Sequence, residues 1–232
     1  MTHLATALVG HRSPRDALRA PCATLAGVTD SAWPELHAAI ASAPYPVVIL
    51  ATDDVRAQRC LSTMGITTRS WLGALTRHTG GLLVDHGWLR VNGSGTDTLP
   101  DVVTAADPTT RTVAIAHDVL GGQFVWMPAQ PGERPTVHYF GPDELGWQDL
   151  GHGYADWLGA VLAGSLTRFY ENLRWPGWED EVSALRPDQG IHTWPPPWSA
   201  EGQDLSTASR KPVPIDQLIA FHHDTARHLG QH

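Results

Sequence analysis

Ser70–Gly95 reads SWLGALTRHTGGLLVDHGWLRVNGSG. Its first part has the spacing of a short helix, and Gly80-Gly81 stops it, because glycine tolerates the left-handed conformation at a helix C-terminus. Two apolar runs come next, Leu82 to Asp85 and Trp88 to Val91, hinged at His86-Gly87. Runs of that length, broken by a turn signal, predict the two strands of a hairpin. Gly93-Ser94-Gly95 marks a flexible turn after them, without the GxSxG spacing of a nucleophile elbow.

Towards the N-terminus the pattern alternates helix and strand. Asp53-Asp54 give an acidic start to a helix over Val55 to Met64, with Gly65 as its stop. Before it, Tyr45 to Ala51 is a continuous β-branched and apolar run that predicts a buried strand. Asp30-Ser31 cap a helix with Pro34 in its first turn, running to about Ser42 and ended by Pro44. The first 29 residues, rich in Ala, Pro and Arg, show no periodicity. They read as an irregular lead-in to a single domain over 30–232.

Towards the C-terminus strands take over. Val113 to Ala116 and Gln123 to Met127 bracket the turn His117-Asp118-Val119-Leu120-Gly121-Gly122, and Thr136 to Phe140 leads on to Trp147-Gln148-Asp149-Leu150. Successive hairpins imply an antiparallel meander. The polar stretch Thr96 to Arg111 reads as a surface connection. Tyr154 to Tyr170 has helical spacing weakened by Gly164, and Glu179 to Leu185 predicts a second, short helix. Gln189 to Trp198 is a proline-aromatic loop with a stiff, extended course. Pro214 to Leu229 closes the chain as a helix, with Ile215, Leu218, Ile219 and Leu229 on one face. The fold class is therefore α+β, an antiparallel meander flanked by helices.

Composition narrows the function classes. With 232 residues, 42% hydrophobic and 17% charged, the chain can bury a substantial core. A net charge of -8 and a single lysine, Lys211, argue against nucleic acid or anionic lipid as partners. Cys22 and Cys60 stand far apart without a CxxC partner, so no zinc knuckle or disulfide framework is indicated and a cytoplasmic setting is expected. No apolar run approaches the roughly 18 residues of a membrane span.

Six segments in order, LGALTRHTGGLLVDHGWLRVNGSG, IAHDVLGGQFVW, VHYFGPDELGWQDLGHGYADWL, FYENLRWPGWEDEV, IHTWPPPWSAEG and VPIDQL, resemble the bacterial domain-of-unknown-function family 2625, from about Trp33 to Leu229. More distantly, the pattern is similar to the SUKH superfamily, whose members include bacterial immunity proteins that neutralise partner toxins. The shared features are the helix ending at Gly80-Gly81, the Asp118 turn, and the helix after the Trp147 strand. This likeness implies a SUKH-like core with helical additions at both ends and a protein partner such as a toxin. It carries no catalytic residue over.

Thirteen histidines invite a metal reading, but His228 and His232 are the one i, i+4 pair and sit at a fraying end, while His222-His223-Asp224 project in successive directions. They read as surface residues of the last helix, and neither a metal nor another cofactor is expected. Short glycine pairs lack the strand–GxxxxGK–helix arrangement of a phosphate cradle. Asp85-His86 and His117-Asp118 lie at hairpin ends that one sheet edge can bring together, and a histidine oriented by a carboxylate is the minimum of general-base catalysis. Asp beside glycine in a turn also has the simpler role of accepting backbone amides. Ten tryptophans remain. Trp71, Trp88, Trp126 and Trp157 fall at core positions, whereas Trp175, Trp178, Trp194 and Trp198 occur in irregular, proline-containing segments beside Arg174. Those four either pack the C-terminal region onto the meander or line a recognition surface.

These residues support two functions. The first is a non-catalytic protein-binding module, with Arg174, Trp175, Trp178, Trp194 and Trp198 as its surface. The second is a small-molecule hydrolase or ligand-binding enzyme using Asp85, His86, His117 and Asp118, which requires those side chains to converge in a concave site.

Overall fold

A computed structural model describes residues 31–130 and 132–230, so the expected lead-in lies outside the described residues. Helix α1 (Trp33–Ala41) carries Pro34 in its first turn and begins with Ser31 Oγ accepting from the Trp33 amide at 3.2 Å. Strand β1 (Val47–Leu50) leads to α2 (Asp54–Met64), where Asp53 caps the N-terminus by accepting from the Arg56 amide at 2.7 Å and Gly65 ends it at φ 64°. The acidic pair and the glycine act here as the sequence predicts.

At α3 (Trp71–His78) the start is also conventional, with Ser70 Oγ accepting from the Gly73 amide at 3.1 Å. The stop is not. The C-cap is Thr79 in extended conformation, so the glycine pair does not supply a left-handed cap. Its need is space: a Cβ on Gly80 would lie 2.6 Å from the Ala51 carbonyl, and one on Gly81 would lie 2.5 Å from that of Val91. The glycines let three backbone segments close on one another.

The hairpin pairs β2 (Gly81–Val84) with β3 (Leu89–Asn92), placing Val84 opposite Leu89. The sheet continues through β5 (Thr112–Asp118), β6 (Gln123–Met127), β7 (Thr136–Phe140) and β8 (Trp147–Asp149), with the two-residue β4 (Ala106–Asp107) beside β5. The order is β1-β2-β3-β5-β6-β7-β8, and each pairing is antiparallel. The expected meander is present. β1 joins it as an antiparallel edge strand rather than a buried one, with Val48 53% exposed, because only β2 pairs with it. Leu99 and Val102 are buried, so the 96–111 connection tucks its apolar residues inward instead of running over the surface.

Cross-strand register puts Leu82, Val84, Leu89, Val91, Phe124 and Tyr139 on one face. They share a core with Leu36, Leu75, Trp157 and Leu158. The long helix expected over 154–170 breaks into α4 (Tyr154–Leu162) and α5 (Leu166–Phe169), since Gly164 turns at φ 106° beside Pro44.

The C-terminal region covers the other face. Helix α6 (Trp178–Ser183) precedes β9 (Gln189–Trp194), which pairs with β10 (Ser209–Pro214) before α7 (Ile215–Leu229). The expected proline-aromatic loop is thus a strand over its first half. Ser209–Pro214, polar and weak in apolar alternation, carries no strand signal in its own sequence and owes its conformation to pairing with β9. On α7 the buried positions are Ile215, Leu218, His222 and Ala226, while Leu229 is 58% exposed. His222 therefore takes an apolar position on the core-facing stripe.

Candidate functional site

Asp118 ends β5 and its carboxylate is completely buried. Oδ1 accepts the amides of Leu120 and Gly122, both at 2.9 Å, and Oδ2 accepts the hydroxyls of Tyr139 at 2.8 Å and Tyr170 at 3.1 Å. Burial raises its pKa above the usual range, and these hydrogen bonds pull it back. Gly122 is required by this cluster, because a Cβ there would stand 2.2 Å from Asp118 Oδ2. With four donors on two oxygens, the carboxylate knits a turn, a strand and α5 together and has little capacity left for a substrate.

His117 precedes Asp118 on the same strand, so its side chain leaves the opposite face, opposite Arg90 in the register. Burial first, then the Arg90 charge, pushes its pKa down to about 3, against a smaller upward effect of the Pro187 carbonyl. His117 is thus neutral and is not oriented by its neighbour. Asp85 and His86 both have positive φ, 54° and 59°, in the turn closed by the Trp88 amide on the Asp85 carbonyl at 2.9 Å. Asp85 is 4% exposed and ion-pairs with Arg174, and His86 sits edge-on to Trp178 at 5.7 Å. Among the described residues, no hydrogen bond joins the side chains of Asp85-His86 to those of His117-Asp118. His117 and Asp118 thus serve opposite faces of the sheet, and the carboxylates of Asp118 and Asp85 are engaged by Tyr139, Tyr170 and Arg174.

The aromatic residues divide differently from the sequence expectation. Trp175 and Trp178 are buried, with ring centroids 5.7 and 5.1 Å from that of Trp88. Arg174 lies over Trp178 at 4.1 Å and over Trp88 at 5.1 Å while it holds Asp85. Arg210 covers Trp175 at 4.8 Å and bonds both oxygens of Glu181, at 3.0 and 3.1 Å. Arg174, Trp175 and Trp178 thus build an internal aromatic-cationic stack, a correction to their place on a recognition surface. Their irregular sequence hid this, because no periodic element announces the packing.

Trp194 is 64% exposed, at the end of β9. Trp198 is half-buried against Phe221 and His222, at 5.6 and 5.4 Å. It also lines a cavity of about 460 Å³ with Asp143, Glu144, Asn172 and Gln203. His222 donates its Nε2–H to the Leu120 carbonyl, 2.8 Å away, and His223 meets Gln123 at 2.6 Å, so neither is the surface residue expected. Among the described residues no three His, Cys, Asp or Glu side chains gather as a metal site would need, and no helix is long and apolar enough to cross a membrane.

A meander whose turns are fastened by buried polar clusters and whose second face is closed by an aromatic C-terminal cover defines an α+β domain. The chain belongs to the family described as "Protein of unknown function DUF2625", whose model matches residues 22–218. It is 34% identical over 205 residues to "Putative uncharacterized protein YbfG" of Escherichia coli (strain K12), covering 84% of this chain and 91% of that one. An "Uncharacterized protein" of Haemophilus influenzae is 32% identical over 169 residues, 68% of this chain and 74% of its own. No solved structure matches the chain significantly.

Proposed function

We propose that this protein is a non-catalytic protein-binding module whose partner docks on the loop after β9. One observation carries the reading: Trp194, the last residue of β9, is 64% exposed where the chain enters a loop stiffened by Pro195, Pro196 and Pro197. An exposed indole on a pre-ordered loop offers a large contact area at small ordering cost. The neighbouring cavity, walled by Trp198 and by the carboxylates of Asp143 and Glu144, suits a Lys- or Arg-bearing segment of the partner. The SUKH likeness adds the expectation that the partner is a toxin and the module its immunity protein.

The test places a photocrosslinking phenylalanine at position 194 or 203 of the full chain in its own host. A specific adduct is expected whose crosslinked segment is basic. Trp194→Ala should weaken the captured partner by about 2 kcal/mol while changing stability by no more than about 0.5 kcal/mol. Absence of a specific adduct at either position, or unfolding of the Trp194→Ala chain, would remove the reading.

A further inference from the structure

Arg90 is the one charged residue of β3, and it is 1% exposed in the middle of the sheet. Its Nε and Nη1 are buried without a hydrogen-bond partner. Burial lowers its pKa to about 10, with Asp118 and Asp188 opposing that effect, so the guanidinium stays charged at neutral pH. A buried, incompletely paired cation is costly unless a hydrogen-bonding counter-charge reaches it. Its register neighbours do not provide one: Leu83 is apolar and His117 is neutral.

Arg90 is also among the residues that line a cavity of about 190 Å³ between the sheet and the segment 182–187. Leu83, Val48, Val182 and Leu185 make its walls largely apolar, and His86 and Ser183 add polar atoms. We infer that this cavity is a binding site for a small organic carboxylate, whose carboxylate pairs with Arg90 and whose apolar body fills the space below residues 182–187. The charge count selects a monoanion, since Arg90 is the one Arg or Lys among the lining residues and apolar walls penalise a second negative charge. The planar fork of arginine matches a carboxylate in two parallel hydrogen bonds. This inference is independent of the docking loop at Trp194.

The experiment is a two-dimensional NMR titration of the full chain with isovalerate, with isovaleramide and inorganic phosphate as separate arms. Isovalerate should bind saturably with a Kd of roughly 1 mM or below, shifting the Arg90 Nε–H signal and the amides of Leu83, Gly87 and Ser183. The uncharged amide should bind at least about ten-fold more weakly. Arg90→Met should abolish the isovalerate shifts and leave the chain folded, because it removes an unpaired buried charge. Leu185→Trp, which fills the cavity and keeps Arg90, should abolish them too. Either of these overturns the site: no saturable shift with isovalerate at about ten times that concentration, or binding that survives both substitutions. Equal binding of the amide, or binding of phosphate alone, overturns the carboxylate assignment.

Discussion

At Asp118 two amides and two phenols converge on one buried carboxylate. Truncating it strands all four donors in a place water does not reach. Asp118→Ala is therefore expected to cost about 3–5 kcal/mol, read by denaturant unfolding, and a loss below about 1 kcal/mol would show that the cluster is not fastening the turn. Histidine supplies a second residue-scale prediction. Burial is the main cause that pushes His222 down to about 4 from the ordinary 6.5, the Leu120 carbonyl opposing it. Between those values the unfolded chain binds the proton and the folded chain does not, so stability rises with pH across the window. This contribution is complete above about pH 6.5 and is lost as pH falls towards about 4. His222→Gln should flatten the slope of melting temperature against pH in that interval, and a slope identical to the parent chain would disprove the assignment.

At the scale of elements, Asp85 and Arg174 come from two segments that the sequence assigns to different roles. One closes the β2–β3 hairpin and the other lies beyond α5, and their ion pair, walled by Trp88 and Trp178, joins the two. Removing either partner leaves a buried charge. Asp85→Ala and Arg174→Ala should each destabilise by about 3 kcal/mol or more, and the double variant should cost less than their sum by about 1 kcal/mol or more. A strictly additive double-mutant cycle would place the coupling elsewhere. The pair itself was half legible. Asp85 before His86-Gly87 announces a turn, but nothing in the sequence spacing says that a guanidinium 89 positions away will fill it. Similarly, the Gly80-Gly81 pair signals an end to α3, while the reason for it, contact with the Ala51 carbonyl, belongs to packing between elements.

For the whole molecule, the β9–β10 ribbon and α7 act as the second layer that closes the sheet. Ile191 donates its amide to the Val119 carbonyl at 2.7 Å, His222 meets Leu120, and His223 packs on Phe140 at 4.3 Å. A chain truncated after Asp188 would uncover Phe140, Leu145 and the buried side of Leu120. It is expected to bind a hydrophobic dye such as ANS and to lose cooperative melting. A truncated chain that melts at the parent temperature without dye binding would make the C-terminal region an appendage.

The meander, the capped helix α2 and the hairpin at Asp85-His86-Gly87 were determined by the sequence alone, because each rests on interactions between residues a few positions apart: period-two apolarity, a cap and its glycine, a turn that needs positive φ. Only the tertiary structure decided that β1 lies at an edge, that Trp175 and Trp178 are internal while Trp194 is exposed, that His117 and Asp118 serve opposite faces, and that Arg90 stands buried beside a cavity. Those outcomes depend on which distant surface covers a given face. Local patterning records that a face is apolar, and it is blind to the partner that arrives there from elsewhere in the chain.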